Sequence, residues 1–535
     1  MSELLPERAW FGPGQEVRVE LRGVSEPGEL TLWHLGERLT SLPTPGDGFV
    51  TLGSLPPGGY GLEWTDGTGA APLRSALHIA GADALRLRYG FTVDYSPGRD
   101  PGGLVDTVRR LHLTDVQFYD WAYRHADLLG GGEDYEDALG QPVSLATVRR
   151  LIEAVRGAGA RALGYAAVYA VGPAEWQDWR QWALLDAASA PFALGDFLFI
   201  VDPAAVPWLS HLRTELAAAV DRVGFDGFHL DQYGYPKHAR RADGHAVDVA
   251  QSFAALIEGV RDRLPGSHLV FNNVNDFPTW TTAASPQDAV YIEVWDPHVT
   301  LGSLAAVVTR ARAAGGDKPI AIAAYQHVYD SAPADAADRA TAFTMATLFS
   351  HGATQLLAGE ADRILVDPYY VRNHVVEPST ADLLRRWYDF MVEHDELLFD
   401  PGNTDVTGSY AGPYNDDLDV AYEKTPVGGE AASGTVWRRV VQTPRGLLVH
   451  LINLAGQPDD LWDAPKEPVA DIGNGSLRIR ATAGSTPRVR VAGPDALPRL
   501  VDVEVTVDGT HATALLPAPG TWQLVLIDLD PKDTL

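Results

Sequence analysis

What most constrains this chain is a change of period. Between about residues 85 and 400, apolar runs too short for helices alternate with stretches that repeat every 3.6 residues. The strand-like runs are 88–94, 115–120, 162–169, 227–231, 268–273, 289–293, 319–325 and 352–357. Between them, Leu145, Val148, Ile152 and Val155 share one helical face that ends at Gly157 and Gly159. Trp208, Leu212, Leu216 and Val220 make another, ended by Gly224; Val249, Phe253, Ile257, Val260 and Leu264 make a third, stopped by Pro265-Gly266. Eight β-then-α units predict a (β/α)8 TIM barrel with enlarged loops. A doubly wound open sheet is the alternative, but no Gly-x-Gly-x-x-Gly follows the first strand and no phosphate-binding loop is present.

On either side the period drops to two. Residues 1–84 carry short alternating runs separated by Gly and Pro, the pattern of a small β-sandwich, and 401–535 read as a C-terminal antiparallel β-sandwich. The polar, Gly-containing stretch 415–433 reads as a loop. The expected organisation is multi-domain: 1–84, a catalytic barrel over 85–400, and 401–535.

Charge narrows the partners. Lys+Arg number 42 and Asp+Glu 71, a net charge of −29, which repels phosphate backbones and anionic headgroups. No nucleic-acid or membrane partner is expected. The absence of cysteine excludes disulfides, a thiol nucleophile and Cys-ligated metals. No basic segment followed by an apolar core opens the chain, so the expectation is a cytoplasmic protein, or a secreted one whose leader has been removed.

In such a barrel the chemistry sits at the C-terminal strand ends, where Asp94, Asp120, Asp231, Asn273 and Glu293 fall. Period two puts Gly227, His229 and Asp231 toward the axis and Phe228 and Leu230 toward the helices; Tyr291, Glu293 and Trp295 likewise share a side. Carboxylates at the mouth with aromatics beside them suit a retaining glycosidase. One carboxylate must be ionised and the other protonated, at about 5–5.5 Å. A single Asp at a strand end serves equally well as a helix cap. However, Asp231 is followed by Gln-Tyr-Gly-Tyr-Pro and Glu293 by Val-Trp-Asp-Pro, not by helices. His125, His211, His229 and His238 form no His-Glu-x-x-His pattern, so no metal site is expected, and no Gly-x-Ser-x-Gly elbow is present. Trp176 and Trp179 read as packing. The chemistry requires no cofactor. A structural calcium in the acidic loop 131–137 is the one metal to weigh, against the plainer reading of a solvated loop.

Several ordered blocks resemble glycoside hydrolase family 66, the dextranases and cycloisomaltooligosaccharide glucanotransferases. They include Gln117-Phe-Tyr-Asp-Trp-Ala-Tyr-Arg-His125, Gly195-Asp-Phe-Leu-Phe-Ile-Val-Asp-Pro203, Gly224-Phe-Asp-Gly-Phe-His-Leu-Asp-Gln232, Asn272-Asn-Val-Asn275, Ile292-Glu-Val-Trp295 and Leu356-Leu-Ala-Gly-Glu360. The resemblance spans roughly 88–400, with the first flank loosely similar to an immunoglobulin-like module. It implies retaining action on α-1,6-linked glucans such as dextran or isomaltooligosaccharides, with Asp231 as nucleophile and Glu293 as acid/base. It also implies that Asp120, Tyr169, His229, Gln232, Asn273, Trp295 and Glu360 bind substrate. Tyr233-Gly234, Asp296-Pro297 and the run after Asn273 depart from the family pattern and bear on subsite preference. The glucanotransferases carry an extra β-domain within the barrel, for which 325–351 leaves no room. Hydrolysis is therefore expected ahead of transglycosylation or cyclisation, of another glycan specificity, and of a non-catalytic carbohydrate binder.

Overall fold

The computed structural model describes residues 2–81, 84–481 and 486–528. Residues 82–83, beside the expected boundary at 84, lie outside them. Eight parallel strands form the central sheet: β1 (Tyr89–Thr92), β2 (Asp115–Phe118), β3 (Arg161–Ala167), β4 (Gly227–Asp231), β5 (His268–Asn272), β6 (Ala289–Glu293), β7 (Ile320–Ala323) and β8 (Thr354–Gln355). They pair in chain order. The seam between β8 and β1 is bridged by the Thr354 hydroxyl on the Leu87 carbonyl (2.5 Å) and the Glu360 N–H on the Phe91 carbonyl (2.8 Å). An open sheet would leave these two strands apart; here the sheet curls into a nearly closed barrel.

The outer helices are α1 (Gly102–Arg110), α2 (Leu145–Gly157), α3 (Val206–Arg222), α4 (Val249–Arg263), the single turn α5 (Thr279–Thr282), α6 (Leu301–Gly315), α7 (Ala334–Ser350) and α8 (Pro378–Glu393). Their ends follow local chemistry. Asp248 caps α4 by accepting from the Ala250 N–H at 3.1 Å. Thr300 and Ser303 make a reciprocal capping box on α6, and Gly316, at φ 61°, follows its last turn. In α2, Leu145, Val148, Leu151, Ile152 and Val155 are buried, the stripe that the 3.6 period demands.

Strand alternation divides the barrel into two cores. Phe228, Leu230, Phe271, Val290 and Ile292 pack outward into the helical layer. Tyr89, Leu163, Tyr165, Val270, Tyr291 and Ala323 fill the interior. At Gly227 a Cβ would come within 1.8 Å of the His268 carbonyl, so only glycine lets β4 and β5 approach this closely.

The flanks are antiparallel. In the first, strands Glu3–Pro6, Val17–Arg22 and Gly48–Gly53 form one sheet. A second holds Glu37–Thr44, Gly28–His34, Gly58–Thr65 and Leu73–Ile79 in that order. Val19, Leu32, Leu62 and Leu77 are buried between the two. In the last, a sheet centred on Val436–Thr443, Gly446–Asn453 and Trp522–Asp528 shares a core with a four-stranded sheet. One expectation fails here. The stretch 415–433 contains the strand Leu418–Tyr422, paired with Gly475–Arg480. Leu418, Val420 and Tyr422 are buried and the residues between them exposed, an alternation that the aspartates around it obscured. Among the described residues, no helix is long and apolar enough to cross a membrane.

Candidate active site

Asp231 and Glu293 terminate β4 and β6, and the end of β5 lies between them. That intervening residue is Asn272. Its side-chain amide nitrogen donates to Asp231 Oδ1 at 2.7 Å and to Glu293 Oε2 at 3.0 Å. The two bonds added together cap the separation of these oxygens at 5.7 Å (2.7 plus 3.0). With the roughly 120° between two amide N–H bonds, the oxygens are about 5 Å apart. The other carboxylate oxygens are held as well. The Tyr165 hydroxyl donates to Asp231 Oδ2 at 2.7 Å, and the Trp295 indole N–H donates to Glu293 Oε1 at 2.6 Å.

Burial raises both acids above the ordinary carboxylate range. For Asp231 the bonds from Asn272 and Tyr165 oppose the rise. Glu293 is raised by burial and further by the neighbouring charge of Asp231. The pair is therefore arranged to share one proton. Asp120, at the end of the β2 run, is a third acid that burial and the charges of Asp137 and Asp231 keep well above its usual value. His229 lies 4.0 Å from Asp231; burial pushes its imidazole down to about 3, so it is neutral.

The carboxylates open into a cavity of about 300 Å³, which Asp120, His229, Gln232 and Trp295 also line. Gln232 has both ends of its amide on the backbone, donating to the Asn272 and Phe277 carbonyls and accepting from the Gly234 N–H. Apolar wall comes from Leu194, Phe197 and Leu198. Phenol rings from several strands make much of the rest, with Tyr119 stacked on Tyr370 at 4.2 Å.

Three residues expected at this wall lie elsewhere. Tyr169, past the end of β3, is fully buried; its hydroxyl donates to the Tyr235 carbonyl at 2.6 Å and accepts from the Tyr233 N–H, so it braces the loop behind the cavity. Asn273 is fully buried and donates to the Tyr291 carbonyl at 2.9 Å. One step along a strand reverses the side chain, so Asn272 faces the axis and Asn273 the helices. The Glu360 carboxylate turns to the barrel seam, where it accepts from Thr92, the Asp94 N–H and Arg99. Asn272 and Tyr165 were not singled out from sequence, although the parity that sorted β4 and β6 would have found both.

Among the described residues, no group of three or more His, Asp or Glu side chains is arranged to hold a metal. In the acidic loop considered for calcium, Asp137 accepts from the Leu139 and Gln141 N–H groups, and Glu133 pairs with Arg149. Trp176 stacks on Phe199 and Trp179 packs against Trp208, away from the carboxylates.

A parallel eight-stranded barrel with a bridged carboxylate pair at its C-terminal mouth is the architecture of glycosidase-type enzymes. Comparison with known proteins narrows the class. The chain belongs to glycosyl hydrolase family 66, whose model matches residues 59–526. A cycloisomaltooligosaccharide glucanotransferase of Niallia circulans is 24% identical over 287 residues, covering 48% of this chain and 29% of that protein. A dextranase of Streptococcus salivarius is 29% identical over 103 residues, covering 18% of this chain and 12% of that protein. The matches thus span less than a third of these relatives' lengths. A Paenibacillus sp. cycloisomaltooligosaccharide glucanotransferase, solved with cycloisomaltoheptaose, superposes with a TM-score of 0.87 at 18% identity, over 98% of this chain and 100% of that one.

Proposed function

We propose that this chain is a retaining glycoside hydrolase of α-1,6-linked glucans, cleaving dextran or isomaltooligosaccharides by double displacement. The observation that carries the reading is the Asn272 bridge. The roughly 5 Å between the two bridged oxygens supports the close spacing of a nucleophile and an acid/base.

Asp231 attacks the anomeric carbon while Glu293 gives its proton to the departing glycosidic oxygen. The bond from carbon to that oxygen breaks as the ester to Asp231 forms. Glu293, now ionised, takes a proton from water, whose oxygen displaces Asp231 from the same carbon. Asp120, His229 and Trp295 line the cavity in which the sugar would sit. The linkage is supported by the relatives, among them a dextranase. A three-part chain goes with this reading: an immunoglobulin-like sandwich over 1–84, the barrel over 85–400 and a sandwich over 401–535. The two-sheet cores at either end support it.

A second reading is transfer to a sugar acceptor, favoured by the two cycloisomaltooligosaccharide glucanotransferases among the relatives. The chemistry differs only in what meets the glycosyl-enzyme. The test is a product profile on dextran and on linear isomaltooligosaccharides, resolved by chromatography with mass detection. Linear short products that retain the α-anomer are expected. Cyclic or elongated products would move the chain to the transferase reading. Intact substrates would overturn the linkage, and other α-glycans would then be screened.

A further inference from the structure

We propose that Asn272 is a positioning residue: it sets the carboxylate spacing and meets the negative charge on whichever of Asp231 and Glu293 carries it. The proposal rests on the roles given to those two carboxylates above. Asn272 ends β5, the one strand between β4 and β6, and is 1% exposed. One side-chain nitrogen serves both acids, at 2.7 and 3.0 Å. Its carbonyl oxygen is buried with no hydrogen-bond partner.

The charge moves during the reaction. In the free enzyme Asp231 is ionised and Glu293 protonated. When the bond from the anomeric carbon to Asp231 forms, Asp231 becomes a neutral ester. The proton has left Glu293 for the leaving oxygen, so the pair still carries one negative charge, now at the other end of the bridge. Because each carboxylate already has its own N–H, the stabilising donor needs no reorientation. An aspartate at this position would add a second negative charge beside the one the pair already carries, and an alkyl side chain would supply no donor.

Other groups facing the pair do not duplicate this. Tyr165 reaches only Asp231, and Trp295 only Glu293. His229 is neutral, and Asp120 is held toward its protonated form. Burial pushes the phenols of Tyr325 and Tyr291 up, so they also remain neutral. No Lys or Arg lines the cavity among the described residues.

The test is Asn272→Ala, with Asn272→Ser as a second variant that keeps one donor, and Asn273→Ala as a neighbouring control. Turnover of an aryl α-isomaltoside is measured against pH, and the two carboxyl titrations are followed independently by infrared difference spectroscopy. Losing the N–H donors destabilises both ionised forms, so both titrations should move to higher pH. Both limbs of the kcat profile should move with them, kcat should fall on the order of 100-fold and KM should hold. Asn272→Ser should shift less, and Asn273→Ala should leave the titrations in place. Unmoved titrations in Asn272→Ala would overturn the proposal whatever the substrate result. Moved titrations in a protein that cleaves no α-glycoside would overturn the hydrolase reading and leave only the pairing of Asn272 with the two carboxylates standing.

Discussion

Asp231 and Glu293 are part-buried acids whose partners are neutral donors, and this has a consequence for stability. Their folded-state pKa values are raised above those of an unfolded chain. Their contribution to stability is therefore full below the ordinary carboxylate range and is lost as pH rises through the raised values. Asp231→Asn keeps an oxygen to accept from Asn272 and places an amide against the Tyr165 hydroxyl, which can turn to accept. We expect turnover to fall on the order of 10⁴–10⁶-fold, as for other deleted nucleophiles. The melting temperature should rise above wild type at neutral and alkaline pH, with the gap closing below about pH 4. Melts across that range check it; a lower melting temperature at every pH would refute the burial argument. At this scale the acids were legible because parity and strand ends point at them. Asn273 was misplaced because its name fitted a motif while its parity did not.

At the scale of elements, the barrel depends on how its last strand meets its first. β8 has only two paired residues, shorter than the 352–357 run suggested. The segment beyond it supplies the closure. Glu360, in a left-handed backbone conformation at φ 48°, binds the Thr92 hydroxyl at 3.1 Å, the Asp94 N–H at 3.0 Å and the Arg99 guanidinium. This explains why a residue resembling a family binding position is absent from the cavity wall: its carboxylate is already filled by the end of β1. Glu360→Gln should leave Arg99 buried without its counter-charge, at a cost of about 3 kcal/mol. The measurement is denaturant unfolding beside steady-state kinetics. A raised KM at unchanged stability would return Glu360 to the substrate site. The helices and most strands were legible, since their periods and caps are local. The Leu418–Tyr422 strand was not, because its alternation is written in only three apolar residues among acids.

At the scale of the whole molecule, the parts share a core. Trp387 of α8 is fully buried and lies 6.0 Å from Trp522 of the C-terminal sheet, which also meets Phe390 at 5.4 Å. α8 also packs against strand Leu73–Ile79 of the first flank. Trp387→Ala should therefore cost about 3–5 kcal/mol by cavity formation and weaken the coupling of barrel to C-terminal sheet. Calorimetry should show the wild-type transition lowered and broadened or split. A transition merely lowered, with its width and shape unchanged, would argue that the contact is local packing.

The sequence by itself determined the eight β-then-α units, the outward and inward faces of the strands, and the two carboxylates at the mouth. Each follows from local periodicity and from the rule that strand ends converge in a barrel. Only the tertiary structure decided which side chain stands between those carboxylates, which of the expected binders turn away, and which tyrosines wall the cavity. Those depend on the order and register of strands far apart in the chain, and on whether a polar group finds its partner in the backbone before it reaches the cavity.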